Sequence, residues 1–368
     1  MEQKLRIGLI GLGQRGMATL RRYDAVEQAE ITAIADLSAE AIERATYQLR
    51  LRGHNNVTAF QGETGWTKLC ALPNIDLVYI CTDWASHAHM AIEAMRLGRD
   101  VALEVPAAMT VRECWNLVDT VEQTGRCCTM LENCCYDTFH LGILEIKRKG
   151  LFGDITHAEG AYIHDLRSDN SWMSYTVSDH PGNPYPTHGL GPVCQLMDIH
   201  HGDRLKSLVS MSAPNKVNNT LLKTELGRTI LIQFDERTPR PYSRIQTLCG
   251  TRGFAQKYPL PTIQIDGQTT LTGAEAEAYI HSQHDDKTKA LIQRGKDLGV
   301  ENLMNFIMDH RLVNRLLQHR APDISVYDAA LWSCITELSA QSVLQGSTPV
   351  EIPDFTRGRW KNDTILGV

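Results

Sequence analysis

Leu5-Arg6-Ile7-Gly8-Leu9-Ile10-Gly11-Leu12-Gly13-Gln14-Arg15-Gly16 is the stretch whose reading decides the fold. Leu5 to Ile10 is an apolar run too short for a buried helix, so it reads as a strand. It leads straight into G-x-G-x-x-G, and Met17 to Ala25 then reads as a helix. Gly11 permits the tight turn, Gly13 lets backbone approach a pyrophosphate, and Gly16 lets helix pack on strand. The loop Gly11, Leu12, Gly13, Gln14, Arg15 and Gly16 is therefore read as the phosphate cradle, with the unpaired N–H groups of the helix behind it. A second apolar run, Ile31 to Ala35, ends in Asp36. A carboxylate about 20 residues beyond the last glycine is placed to grip a ribose 2′-OH. No arginine follows Asp36 directly, and a 2′-phosphate would be repelled there. The cofactor expected is NAD.

Working outward, strands and helices alternate. Ala39 to Leu51 and Trp66 to Leu72 read as helices, and Ile75 to Thr82 as a strand buried on both faces. A helix over His87 to Leu97 ends at Gly98, and the next strand, Asp100 to Glu104, runs into Val105-Pro106. Thr110 to Thr124 is helical and Cys127 to Leu131 is a strand. This rhythm predicts an α/β fold with an N-terminal Rossmann domain, a doubly wound parallel sheet, over residues 1–136. Open α/β sheets bind ligands at the carboxyl ends of their strands. Thr82, Trp84 and His87, with Glu104 and Val105 at the end of the following strand, thus join the expected cofactor-binding set. Trp84 reads either as a ring stacked near the cofactor or as packing.

Beyond Tyr136 the rhythm changes. Phe139 to Lys149 is helical, then strand-like runs dominate: Ile155 to Ile163, Leu205 to Met211, Thr220 to Glu225, Thr229 to Phe234 and Gln246 to Thr251. That pattern predicts a C-terminal α+β domain over 137–368 with a mainly antiparallel sheet. Asp165 to Pro186 reads as a long polar loop, of a length that usually carries function or is disordered. Helices return at Ala274 to Tyr279, Asn302 to His319 and Val326 to Leu344, and Pro349 to Val368 reads as a C-terminal strap.

At 368 residues the chain accommodates two cores, and a net charge of −6 gives no reason to expect nucleic acid or an anionic membrane as partner. No apolar run approaches the length of a spanning helix. The first strand begins after four residues, so no signal peptide is expected, and the ten cysteines read as reduced, mostly buried thiols. A cytoplasmic location is expected, with an export signal outside this sequence as the alternative. Cys127-Cys128 and Cys134-Cys135 are adjacent pairs, no C-x-x-C occurs, and His87/His89 and His200/His201 lack partners at ligand spacing, so no metal site is expected.

At Glu104-Val105-Pro106 the chain resembles the Gfo/Idh/MocA oxidoreductases, which carry Glu-Lys-Pro there; in their dehydrogenases the lysine polarises the reacting hydroxyl, and Val105 does not. Those enzymes also place an Asp four residues before a His, where this chain has His188 and Pro192. Both departures match one subgroup. Glu104 to Ala108, Leu131 to Tyr136, Glu159 to Arg167, Tyr185 to Pro192, Thr238 to Arg244 and Val326 to Ala330 resemble glycoside hydrolase family 109, over nearly the whole chain. The resemblance implies an NAD-dependent glycosidase of the α-N-acetylgalactosaminidase type. The implied route is transient C3 oxidation, C2 deprotonation, elimination and addition of water. It implies sugar contact by Glu104, Tyr136, Tyr185, His188 and Tyr242. Tyr242 is expected to take the C2 proton and His188 to polarise the C3/C4 side, so these two are the catalytic candidates; Glu104, Tyr136 and Tyr185 bind substrate. The expected partner is a small-molecule glycoside, and the resemblance suggests a homo-oligomer. The family's His-Gly-Gly-Met-Asp appears here as Glu301-Asn302-Leu303-Met304-Asn305. Two alternatives therefore stand: an NAD-dependent sugar or inositol dehydrogenase, and a catalytically inactive, NAD-retaining sugar-binding protein. Tyr162 and His164 share one strand face and read equally as cleft-lining or packing.

Overall fold

The computed structural model describes residues 4–167 and 179–362. Its contacts group into two compact units. Among the described residues, the first takes those up to Leu131 and Gln293–Ala330; the second takes Glu132–Ile292 and those from Leu331 to Asn362.

In the first unit, β1 (Leu5–Ile10), β2 (Ala29–Asp36), β3 (Thr58–Gln61), β4 (Leu77–Ile80), β5 (Asp100–Leu103) and β6 (Cys128–Met130) form a sheet in the order β3-β2-β1-β4-β5-β6. Every pairing is parallel, the doubly wound arrangement expected. Helices α1 (Gln14–Arg22), α2 (Ala39–Leu51), α3 (Gly65–Ala71), α4 (Trp84–Arg96) and α5 (Val111–Thr124) connect the strands. Ser38 caps α2, and Thr110 with Glu113 forms a capping box on α5. The helix read from His87 begins at Trp84 instead, because the Asp83 side chain accepts from Ser86 N at 3.2 Å and caps α4 there. β3 has no residue classed as buried, so no apolar alternation announces it.

A linear boundary at 136 has no way to register that the helix Leu303–Leu317 belongs with the first unit. Its fully buried Asp309 meets Arg22 Nε at 2.5 Å, and Arg22 also donates to the Tyr79 hydroxyl.

The second unit is built on a nine-stranded sheet of β7 (Ile155–Ile163), β8 (Leu205–Ser212), β9 (Asn218–Thr224), β10 (Thr229–Asp235), β11 (Thr247–Gly250), β12 (Gly253–Gln256), β13 (Thr262–Ile265), β14 (Leu271–Thr272) and β15 (Val350–Glu351). The order is β14-β13-β12-β11-β7-β10-β9-β8-β15. It is antiparallel except for the parallel pair β7 and β10. The strap contributes β15 beside β8. Residues 168–178 of the long polar loop and 363–368 of the strap lie outside the described residues. Before the sheet comes α6 (Thr138–Arg148), and one face of the sheet receives α7 (Thr187–Leu196).

The sequence reads the α7 segment as a Pro/Gly-rich turn, yet it is helical. Pro186 sits at the N-cap, and Pro192 inside the helix forgoes only the bond to His188's carbonyl. The glycines serve packing. A Cβ on Gly160 of β7 would lie 2.1 Å from Gly189's carbonyl oxygen, and one on Gly189 would lie 2.6 Å from Ala161 N. Helix backbone therefore rests directly on strand backbone. Gly160→Ala is expected to push α7 outward and cost about 1–3 kcal/mol, read as a lower thermal melting temperature.

Candidate active site

The coenzyme end is assembled in the first unit. Gly11 has φ +87°, and a Cβ there would strike the Cys81 carbonyl oxygen at 2.6 Å; one on Gly16 would lie 1.8 Å from the Gly11 carbonyl oxygen. A Cβ on Gly13 would meet nothing within 4 Å, so that side of the loop is open. Helix α1 carries no side-chain cap and no acidic residue in its first turn, leaving its N–H groups for an anion. Asp36 accepts from Leu12 N at 2.6 Å and from Ser38 N at 2.8 Å, tying the end of β2 to the loop. This cradle fits a dinucleotide.

Two of the residues expected to touch the coenzyme are deeply buried. His87 is fully buried, its ring nitrogens 2.8 Å from Pro106's carbonyl oxygen and 3.1 Å from Thr82's. Burial favours its neutral form, whose single N–H can donate to only one of the two carbonyls. Trp84 is only 4% exposed and leaves little ring surface for stacking, which favours its packing reading. The Thr82 hydroxyl accepts from Ser86 Oγ at 2.8 Å. Val105 is buried at the end of β5. Beside it, Glu104 accepts from Arg15 Nε at 2.7 Å, with Arg22 at 3.9 Å. The Glu104 carboxylate in turn holds the Arg15 guanidinium above its ordinary range, against the cost of burial. Arg15 also reaches Asn305 Oδ1 at 3.5 Å. The departing segment Glu301–Asn305 is thereby given structural work as well, since Asn302 caps its helix by accepting from Asn305 N at 3.0 Å.

In the second unit, His188 stands on the first turn of α7. Its Nδ1 lies 2.8 Å from the Glu132 carboxylate, and its Nε2 lies 3.3 Å from the Tyr185 hydroxyl. Tyr162 packs edge-on against both rings, with centroids 5.6 Å from His188 and 4.9 Å from Tyr185. The Tyr162 hydroxyl is 3.2 Å from His164 Nδ1, and His164 meets Tyr242 edge-on at 5.3 Å. Tyr162 and His164, undecided from sequence, thus link His188 and Tyr185 to Tyr242. Tyr136 is buried on the 3-10 turn Asn133–Tyr136 that follows Glu132.

Tyr242 is 44% exposed, and burial of its phenol still raises its pKa above the ordinary value, with Arg244 acting the other way. Glu132, Cys134 and His188 bring a carboxylate oxygen, a sulfur and a ring nitrogen within 4.8 Å of one another. The hydrogen bond joining two of the three accounts for that closeness without an ion.

Sequence reasoning missed Glu132, Asp137, Arg244, Lys257 and Tyr258. Glu132 lies in a quoted motif, but nothing in its spacing from His188 pairs them. Buried Asp137 accepts from Arg244 at 2.6 Å and from Lys257 Nζ. Burial opposes its charge, and Lys257 and Arg244 outweigh that, holding its carboxyl well below the usual range. Tyr258 stands edge-on to Tyr242 at 6.1 Å.

With this geometry in place, comparison with known proteins defines the class. Residues 5–132 match the model of the oxidoreductase family with an NAD-binding Rossmann fold. A levoglucosan dehydrogenase solved with NADH and levoglucosan superposes with a TM-score of 0.76 at 18% identity, over 95% of this chain and 100% of that one. A myo-inositol dehydrogenase from Lactobacillus casei, solved with NAD(H) and myo-inositol, gives 0.71 at 18% identity over 96% and 99%. At such identities these show the shared fold.

Residues 136–219 and 214–362 match the C-terminal domain of glycosyl hydrolase 109. Glycosyl hydrolase family 109 protein 2 of Phocaeicola vulgatus is 49% identical, covering 97% of this chain and 96% of its own. An alpha-N-acetylgalactosaminidase of Bacteroides fragilis is 46% identical, covering 97% and 93%. The chain belongs to glycoside hydrolase family 109. Among the described residues no helix is long and apolar enough to cross a membrane.

The Asp137 cluster generates a stability prediction. Asp137→Asn leaves Arg244 and Lys257 without their carboxylate and is expected to cost about 3 kcal/mol at pH 7. Because the folded pKa is depressed, that contribution is present above the ordinary aspartate value of about 3.9 and fades as pH falls through the folded value. Melting curves of the two proteins should diverge at neutral pH and converge in strong acid.

Proposed function

We propose that this protein is an NAD-dependent glycosidase acting on α-linked N-acetylgalactosamine or a close hexosamine relative. One observation carries the reading: an NAD-binding domain and a family 109 hydrolase domain share one chain, 46% identical to a protein named as an alpha-N-acetylgalactosaminidase. Asp36, at the end of β2, favours NAD over its 2′-phosphorylated counterpart, because a carboxylate repels phosphate there. When bound, NAD supplies reversible hydride acceptance at the sugar C3, which the protein itself lacks.

The chain's own groups then have defined work. Oxidised C3 acidifies the C2 proton, and Tyr242 is the group proposed to remove it, with Arg244 favouring the phenolate against burial. His188, braced by Glu132, donates from Nε2 to the oxygens on the C3/C4 side. Tyr185 and Tyr136 bind the sugar. Glu104, positioned by Arg15, contacts both ligands. Expulsion of the C1 substituent, addition of water at C1 with a proton returned to C2, and return of the hydride to C3 complete the cleavage, with no lasting redox change.

Purified protein given a nitrophenyl N-acetyl-α-galactosaminide, with no added cofactor, should release nitrophenol without accumulating NADH. Steady NADH formation from free sugars would favour the dehydrogenase reading. NAD binding with neither reaction would favour a sugar-binding protein. Tyr242→Phe should lower turnover about 10²- to 10⁴-fold while leaving NADH binding, followed by fluorescence, unchanged.

A further inference from the structure

Glu132 has no side-chain surface open to solvent, and its one ion-pair partner among the described residues is His188. One carboxylate oxygen also accepts from Cys134 N at 3.1 Å, which turns the backbone after β6 into its 3-10 turn. A carboxylate sealed from water is costly to leave uncompensated. Among the described residues no Lys or Arg forms an ion pair with it, and Arg244 and Lys257 are paired with Asp137.

Room for the pair is also built in. A Cβ on Gly191, one turn along α7 from His188, would lie 3.1 Å from Glu132 Cγ and 3.0 Å from the Trp332 ring. The groups facing His188 are Glu132 and Cys134 from the 3-10 turn, Tyr162 from β7 and Tyr185 from the approach to α7. On the same helix, Gln195 receives His140 of α6.

We propose that Glu132 is a positioning residue that holds His188 by Nδ1–H as an imidazolium, so that Nε2 remains a proton donor toward Tyr185 and the substrate. The proposal deepens, and rests on, the reading of His188 as a sugar-facing group. The arrangement differs from a histidine base, whose outward nitrogen must be free of its proton. The single Nε2–H rests on the Tyr185 oxygen at 3.3 Å and passes to a sugar oxygen when substrate takes that place. Burial disfavours the imidazolium, and Cys134 and Glu132 outweigh it, lifting the His188 pKa to about 10. Burial likewise works against the Glu132 carboxylate, and the charge on His188 overcomes it.

The test is nitrogen-15 NMR of the full chain with labelled histidine, His188 being assigned by loss of its signals in His188→Gln. In the unsubstituted protein the His188 nitrogens should keep imidazolium shifts at pH 8. In Glu132→Gln they should titrate much closer to the ordinary value of about 6.5, with circular dichroism confirming the fold. Titration of His188 near pH 6.5 in the unsubstituted protein overturns the proposal without any variant, as does an unchanged titration in Glu132→Gln. If Glu132→Gln does not fold, Glu132→Asp takes its place: the shorter carboxylate should lower the titration point, and an unmoved one contradicts the proposal.

Turnover supplies the second readout. Glu132→Gln should lower kcat about 100-fold with KM changed less than about threefold, and Glu132→Asp should recover part of the loss. An imidazolium His188 in a protein that cleaves no glycoside would sink the functional reading and leave this pairing standing.

Discussion

Helix-to-strand contact at backbone distance, between Gly189 of α7 and Gly160 of β7, is the constraint on which the second unit and its candidate site depend. A side chain at either position would lift the helix away from the sheet. His188 precedes Gly189, so its ring position relative to Tyr162 on β7 is set by that contact. Glu132 reaches the same ring because Gly191 leaves it space. Three glycines, none of them in a reactive role, thus determine where a buried carboxylate meets an imidazole.

A comparable constraint governs the coenzyme half. The Gly16–Gly11 approach closes the phosphate loop against α1, and Arg15, inside the loop, is drawn to Glu104 at the end of β5. Arg22, two turns along α1, is fastened to Asp309 of a helix nearly 290 positions later in the chain. Charged groups at the strand ends therefore have assigned partners. In the family's dehydrogenases a lysine follows this glutamate; here a valine does, and an arginine from the nucleotide loop takes up the carboxylate. The absence of that lysine accords with chemistry in which the sugar is not released oxidised.

Much of this was legible in the residues, for identifiable reasons. The first sheet follows from short apolar runs punctuated by glycine, because parallel strands buried on both faces leave that trace. Strand β7 and helix Val326–Leu344 fall at their expected limits. What was not legible depended on distance along the chain or on packing. Helix α7 is masked by Pro186, Gly189, Gly191 and Pro192, whose local preference is for turns and whose purpose is close approach. Strands β12 to β14 are two to four residues each, too short to show alternation. The partners Glu132–His188 and Asp137–Arg244 lie 56 and 107 positions apart, and neither spacing carries a signal. At His87 the position at a strand end suggests a ligand contact, and the ring lies buried between the backbone carbonyls of Pro106 and Thr82, which no local pattern announces.

The proposed route cleaves the sugar by making C2 acidic for a moment, and that acidity leaves an isotopic record. The most direct measurement is cleavage of an N-acetyl-α-galactosaminide in deuterium oxide, followed by NMR and mass analysis of the released sugar. Elimination after transient oxidation predicts one deuterium at C2, acquired during turnover. A released sugar with its original hydrogen at C2 would contradict the account and place this chain among glycosidases that cleave by direct displacement.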